Sequence, residues 1–153
     1  MYKELVQEKS AGNEWVRIQP PCPEAEIEEA ESVVGFAFPA ELKALLRELN
    51  GDGWLLLSAR QIIENVRRNR EIFYPLFEED FSVEAYRDRI DRFIFFATDG
   101  CGNYYGFRVA EDGRAEEGAI YFWDHEYIGD ECCWKKVADS IADCITRYYD
   151  CEI

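Results

Sequence analysis

The chain is poor in basic residues and has almost no histidine. Its 153 residues include 17 lysines and arginines against 32 aspartates and glutamates, so the formal net charge is −15, and there is one histidine. Binding to nucleic acid through phosphates needs a basic face that displaces counterions, and docking on an anionic membrane also needs basic residues. The composition therefore argues against both kinds of partner.

Long apolar runs are absent as well. No stretch of 18 or more apolar residues occurs, and the N-terminal residues begin no apolar segment of signal-peptide length. The sequence therefore predicts neither a membrane span nor a secretory signal, and we expect a cytoplasmic protein with reduced cysteines. No pair has the Cys-x-x-Cys spacing, and one histidine is too few for a Cys2His2 zinc site, so we expect no metal and no cofactor. The six cysteines are Cys22, Cys101, Cys132, Cys133, Cys144 and Cys151.

The chain does have ample material for a hydrophobic core. Hydrophobic types make up 48% of it and aromatic types 15%, and its length suits one domain over residues 1–153. Apolar residues at helical spacing predict helices over about 24–34 and from Pro39 to Leu49, the second ended by a left-handed turn at Asn50-Gly51. An N-terminal helix and a proline-rich loop are predicted before residue 24.

The rest of the chain predicts a short buried strand over 54–57, a helix capped by Ser58, and a short helix after Ser82. Runs of apolar residues, and runs in which apolar residues alternate with others, then predict three strands joined by short turns. A fourth strand is predicted over about 132–137, and a closing helix from about Ile141. Strands in this order form an antiparallel meander, so the fold class is α+β, with the sheet packed against several helices.

Charge is concentrated in two stretches of the chain. Residues 22–50 carry a net charge of −5 and residues 111–131 carry −7, whereas the other 103 residues together carry only −3. Such patches suggest a basic protein partner that is attracted by electrostatic steering, and simple solubility is the alternative. The sequence alone leaves open whether the two stretches lie on one face of the fold.

The residues offer little support for catalysis. The single histidine, His125, lies between two acidic residues, and a Cys-His-Asp arrangement with Cys101, Cys132 or Cys133 has no supporting signature around any cysteine. We therefore expect His125 at a strand end, hydrogen-bonded to a neighbour, and no catalytic residue.

Four segments occur in an order that is similar to one known family. An amphipathic helical segment from Ile27 leads through Phe38-Pro39 to Asn50-Gly51. An apolar strand over 93–97 is followed by an Asp-Gly-x-Gly turn. A later strand over 118–126 ends near an acidic residue and a histidine, and a closing helix follows. Over about residues 24–149 the chain thus resembles the SUKH superfamily, whose members are also described as cell-wall-assembly-regulator-like domains.

The resemblance implies an α+β domain without known catalytic activity. Bacterial members serve as immunity proteins that bind and block toxins of polymorphic or contact-dependent systems, and many such toxins are nucleases with basic faces. The implied partner is a basic toxin, with an intracellular protein–protein interaction module unrelated to toxins as the alternative. Acidic residues near the later strand are the first predicted contacts, and Glu116, Glu24 and Glu28 are weaker ones. The first set comprises Asp124, His125, Glu126, Asp130 and Glu131.

Two departures from the family pattern concern its turns. Residues 50–54 read Asn-Gly-Asp-Gly-Trp where Asn-Gly-Gly is usual, and Gly106-Phe107-Arg108 stands where an aspartate commonly ends the second strand. The departures weaken any small-ligand role at those positions and leave the predicted fold intact.

Overall fold

The computed structural model describes residues 1–73, 91–127 and 134–153 of the chain. These ranges contain five α-helices and a four-stranded antiparallel sheet, which confirms the predicted α+β class. A π-helical turn (Asn69–Phe73) continues the fourth helix, and a 3-10 turn (His125–Tyr127) follows the third strand. The helices are α1 (Tyr2–Lys9), α2 (Glu24–Val34), α3 (Ala40–Glu48), α4 (Ala59–Arg68) and α5 (Ile141–Tyr149), and the strands are β1 (Phe93–Thr98), β2 (Tyr104–Arg108), β3 (Ile120–Trp123) and β4 (Trp134–Ala138).

The strands form a meander in the order β1-β2-β3-β4. Tyr104 of β2 pairs with Trp123 of β3, and Trp123 pairs with Trp134 of β4. Because consecutive strands alternate in direction, the turn between β1 and β2 lies at the same end of the sheet as the residues that follow β3. The topology therefore brings residues 99–103 beside residues 124–126.

Local signals set most helix boundaries. α2 begins after Pro23 and ends at the left-handed Gly35, as predicted, and Ser58 starts α4 with a reciprocal capping box. α3 differs from the prediction, because its C-terminal Leu49 is extended, with a φ of −155°. The left-handed conformation predicted at Asn50-Gly51 is present at Gly51, with a φ of 85°, but it lies two residues beyond the residue that ends the helix. Tertiary hydrogen bonds hold Asn50 there: its N–H donates to Pro20 and its side-chain oxygen accepts the N–H of Ala59.

One face of the sheet packs against the helices and forms the main core. Its apolar side chains are almost completely buried, and removing their surface from water is the main contribution that holds the two layers together. The strands contribute Ile94, Phe96, Phe107 and Ile120, and the helices contribute Ile27, Leu42, Leu46, Ile62, Ile141 and Ile145.

The opposite face of the sheet carries a second, aromatic layer. Phe93 and Phe95 stack with their ring centroids 5.4 Å apart, and the Arg108 guanidinium lies 5.2 Å from the centroid of Trp134. Gly106 leaves room for the Phe95 ring and for β1, since a Cβ there would lie 2.9 Å from the ring and 2.6 Å from the carbonyl oxygen of Ile94. Tyr104, Tyr121 and Trp123 complete the layer.

Residues 54–57 do not form the predicted strand. Only Leu56 bridges to Ala97 of β1, and Trp54 is 42% exposed instead of buried. The predicted fourth strand is confirmed from Trp134 onward, whereas Cys132, Cys133 and the predicted helix after Ser82 lie outside the described residues.

Candidate partner-binding surface

The turn between β1 and β2 is a network of hydrogen bonds around Asp99. The Oδ1 atom of Asp99 accepts the N–H of Cys101 at 2.8 Å, and its Oδ2 atom accepts the side-chain amide of Asn103 at 2.8 Å. Thr98 Oγ1 donates to the carbonyl oxygen of Asn103 at 2.9 Å and accepts the N–H of Gly100 at 3.1 Å. These local bonds fix an exposed turn in one conformation.

The turn is connected to the end of β3 through His125. Asn103 Oδ1 lies 2.7 Å from His125 Nδ1 and accepts the His125 backbone N–H at 3.1 Å. Because the amide nitrogen of Asn103 faces the carboxylate of Asp99, its oxygen faces His125, and Nδ1 must carry the proton. A Cβ at Gly102 would lie 3.2 Å from the imidazole ring, closer than usual, and the φ of 98° also favours glycine at this position. The expectation that a neighbour holds His125 at a strand end is confirmed.

Asp124 and Glu126 lie on either side of His125 in sequence. Asp124 Oδ1 accepts the N–H of Glu126 at 3.0 Å, which stabilises the 3-10 turn. Within the described ranges, neither carboxylate forms an ion pair, and neither does Asp99. Lys135, at the start of β4, lies over the Phe122 ring with its Nζ 5.7 Å from the centroid. The three carboxylates are therefore not neutralised by a described cation.

We name residues 99–103 together with residues 124–126 the hairpin-end surface. It brings together three of the predicted contact residues, Asp124, His125 and Glu126, and adds Asp99, which was not among them. Asp130 and Glu131, which were predicted with them, lie outside the described residues.

Glu116 lies at the other end of the sheet. Its backbone N–H donates to Arg108 at the end of β2, and its carboxylate accepts the Tyr121 hydroxyl at 2.6 Å, a bond that raises the Tyr121 pKa. The Arg108 Nε atom also lies 4.0 Å from Glu116 Oε1. β3 separates Glu116 from Asp124, so the described part of the acidic stretch, residues 111–127, is divided between opposite ends of the sheet.

Glu24 and Glu28 lie on α2 and differ in their contacts. Glu24 Oε2 accepts Arg47 Nε of α3 at 2.9 Å, and this bond holds the Glu24 pKa below its ordinary value. Glu28 is exposed and forms no ion pair in the described part of the chain. No hydrogen bond or ion pair between described residues connects α2 with the hairpin-end surface.

Other carboxylates of the 22–50 stretch stabilise the fold. Glu31 pairs with Lys43 at 2.7 Å and also accepts the N–H of Phe38. Glu41 Oε1 accepts the N–H of Ile141 at the start of α5 at 2.6 Å, and Glu48 pairs with the N-terminal ammonium at 2.8 Å. Glu26 accepts the side-chain amide of Asn50 at 3.4 Å, so with Glu24 five of the seven acidic residues in this stretch contact other parts of the fold.

Trp54 is a surface residue that the sequence analysis missed. Asp52 Oδ1 accepts the backbone N–H groups of Trp54, Leu55 and Leu56 at 2.9, 2.9 and 2.8 Å. The Thr98 N–H donates to the Leu55 carbonyl at 2.9 Å, so Trp54 lies beside the end of β1. The glycines on both sides of Asp52 were the available signal, because such residues indicate a turn where the apolar run suggested a strand.

The described residues show no arrangement for metal or thiol chemistry. No group of three or more His, Cys, Asp and Glu side chains within them is placed to hold a metal ion. Cys101 is exposed in the turn next to His125 but shares no hydrogen bond with it, whereas Cys144 is buried in the core. Among the described helices, none combines the length and apolar character that crossing a membrane requires.

Comparison with known families agrees with this fold. The sequence model of the SMI1 / KNR4 family (SUKH-1) matches residues 21–147, close to the 24–149 over which the resemblance was recognised. No curated protein matches the chain. The family match covers more than four fifths of the chain, and it includes the helices α2 to α4, the whole sheet and most of α5. The chain therefore belongs to the SMI1 / KNR4 family (SUKH-1).

Proposed function

We propose that this chain is an immunity protein that binds and neutralises a basic protein toxin of a bacterial polymorphic or contact-dependent system. The SUKH family includes immunity proteins, and the chain's net charge of −15 favours a partner of the opposite sign. The observation that carries the proposal is the hairpin-end surface, where Asp99, Asp124 and Glu126 have no described ion-pair partner.

A fixed acidic surface suits recognition of a basic protein for two reasons. Unpaired carboxylates attract a basic face over distances of about 10 Å at ordinary ionic strength, which raises the rate of encounter. The hydrogen bonds through Asp99, Asn103 and His125 already hold the surface in place, so little conformational entropy is lost on binding. We expect a nuclease toxin to present such a basic face.

We propose that the chain acts by binding and not by turnover. His125 Nδ1 is committed to Asn103, and none of the described cysteines is hydrogen-bonded to the imidazole. The substitution His125→Ala should therefore remove no catalytic activity and should change only the affinity for the partner.

Co-expression with the toxin encoded beside this chain's gene tests the proposal. The wild-type chain should restore growth to cells that produce the toxin, and the purified pair should form a complex whose association slows steeply with added salt. Growth arrest despite soluble, folded chain would contradict the immunity function. A stable complex with a non-toxic endogenous protein would instead favour a general interaction module.

A further inference from the structure

Trp54 is exposed but held in place. Its side chain is 42% exposed, whereas the next three residues are buried, and Asp52 binds the backbone N–H groups at the start of this segment. Trp54 also lowers the pKa of Tyr148 on α5, against the rise that burial causes, so the two side chains are near one another. A large aromatic side chain is thus exposed to solvent on a backbone segment that the Asp52 hydrogen bonds hold in place.

Asp52 is the residue that holds the backbone at Trp54. It is completely buried, and its Oδ2 atom has no hydrogen-bond partner among the described residues. Burying this oxygen has a desolvation cost, which the three backbone N–H bonds to Oδ1 offset. The loop therefore presents Trp54 from a defined backbone conformation.

Trp54 adjoins the hairpin-end surface. The bridge between Leu56 and Ala97 runs antiparallel, and the Leu55 carbonyl accepts the Thr98 N–H, so Trp54 and Asp99 are the next residues at the same end of this contact. Both residues affect the pKa of Tyr148, which Trp54 lowers and Asp99 raises, in agreement with this placement. An exposed indole therefore lies next to a carboxylate that no described cation neutralises.

This combination matches the chemistry of one side chain in particular. A planar guanidinium stacks on an aromatic face and at the same time donates N–H bonds in its plane to a carboxylate. An ammonium group is a compact charge that lacks this flat donor geometry, so arginine is favoured over lysine. Tryptophan and arginine are also the residues that most often dominate the energy of protein interfaces.

We propose that Trp54 is the anchor of the partner interface and receives an arginine side chain of the protein partner, with the guanidinium stacked on the indole and directed at Asp99. The inference deepens the proposed function, since it names the group on the toxin that the hairpin-end surface recognises.

Nuclear magnetic resonance on the whole chain tests the inference with defined probes. The four tryptophan indole N–H signals are assigned by substitution, and octa-arginine and octa-lysine peptides are titrated in separately. We expect octa-arginine to shift the Trp54 signal with an affinity about three- to fivefold higher than that of octa-lysine. The Trp15 signal serves as the control for exposure alone, because Trp15 is 72% exposed and its backbone N–H is bound by Asn13 and not by Asp52.

An unmoved Trp54 signal, or equal responses to both peptides, would overturn the inference. With the toxin, Trp54→Leu should weaken binding by about tenfold or more, whereas Trp15→Leu should not. Toxin binding that is unaffected by Trp54→Leu overturns the anchor and leaves the immunity function standing. Arginine selectivity at Trp54 without any protection against the toxin supports the anchor and refutes the immunity function.

Discussion

The acidic residues of the 22–50 stretch and those of the hairpin-end surface differ in what they contact. Glu24, Glu31, Glu41 and Glu48 bind cations or backbone N–H groups on other elements. Among the described residues, Asp99 and Asp124 accept only N–H groups of their own turns, and the Glu126 carboxylate forms no hydrogen bond or ion pair. A count of charge along the sequence therefore does not measure the charge available to a partner.

The largest expected effect concerns the loop beside the hairpin-end surface. Asp52→Ala removes the acceptor of three backbone N–H groups, two of which are buried, so we expect the free energy of unfolding to fall by about 2–4 kcal/mol. Urea unfolding followed by circular dichroism measures it. A change below about 0.5 kcal/mol would show that the loop does not depend on Asp52.

Asp52→Asn is the matched control, since it keeps the accepting oxygen and removes the charge. Burial raises the pKa of Asp52 above its ordinary value of 3.8, although the backbone N–H groups oppose the rise. Such a group contributes stability below 3.8 and loses it as the pH rises through the folded-state pKa. In that window, wild-type stability should decline relative to Asp52→Asn. Parallel pH profiles of the two proteins would contradict the raised pKa.

The next effect separates the two acidic regions directly. Reversing charge with Asp124→Lys and Glu126→Lys should weaken toxin binding by about 10- to 100-fold, mainly through a slower association rate. Glu28→Lys with Glu29→Lys on α2 changes the net charge equally and should have an effect about tenfold smaller. Surface plasmon resonance at low salt measures both. Equal losses would mean that total charge, and not the hairpin-end surface, steers the partner.

A smaller effect is expected where an acidic residue of the 22–50 stretch joins two helices. Glu41 of α3 accepts the N–H of Ile141 at the start of α5 and lies 3.3 Å from the Tyr2 hydroxyl. Glu41→Ala should lower the free energy of unfolding by about 1–2 kcal/mol and leave toxin affinity unchanged. A loss of affinity without a loss of stability would reverse the roles assigned to the two regions.

The smallest effect is expected at the exposed pair between Glu24 and Arg47. Both side chains are about half exposed, so solvent screens their attraction. Glu24→Gln should leave the denaturant midpoint and the toxin affinity unchanged within error. A clear drop in affinity would restore Glu24 as the contact residue that the sequence suggested.

The sequence predicted the helices and strands well, because each has its own local pattern. The period of Ile27, Ala30 and Val34 defines α2, and the apolar run from Phe93 defines β1. Trp54 was misplaced because Trp-Leu-Leu-Leu has the composition of a buried strand, whereas the hydrogen bonds of Asp52 turn the first residue outward. The charge counted along residues 22–50 was misleading because carboxylates of this stretch bind groups that are distant in sequence. Glu41, for example, accepts the N–H of Ile141.

The separation of Glu116 from Asp124 could not be predicted from the sequence either. β3 is only four residues long, yet it places Glu116 and Asp124 at opposite ends of the sheet. Both residues belong to one acidic stretch of the sequence, whereas the strand between them places them apart in the fold. Asn103 and His125, in contrast, are far apart in the chain and become neighbours through the meander.

Hydrogen–deuterium exchange of the complex shows which surface of the chain the toxin covers. When the chain binds an inactive form of the toxin, we predict slower exchange in peptides that cover residues 54–57, 99–103 and 124–126, because the partner covers the hairpin-end surface and Trp54. Peptides of α2 should exchange as in the free chain. Protection confined to α2, with the hairpin-end surface unchanged, would contradict the account.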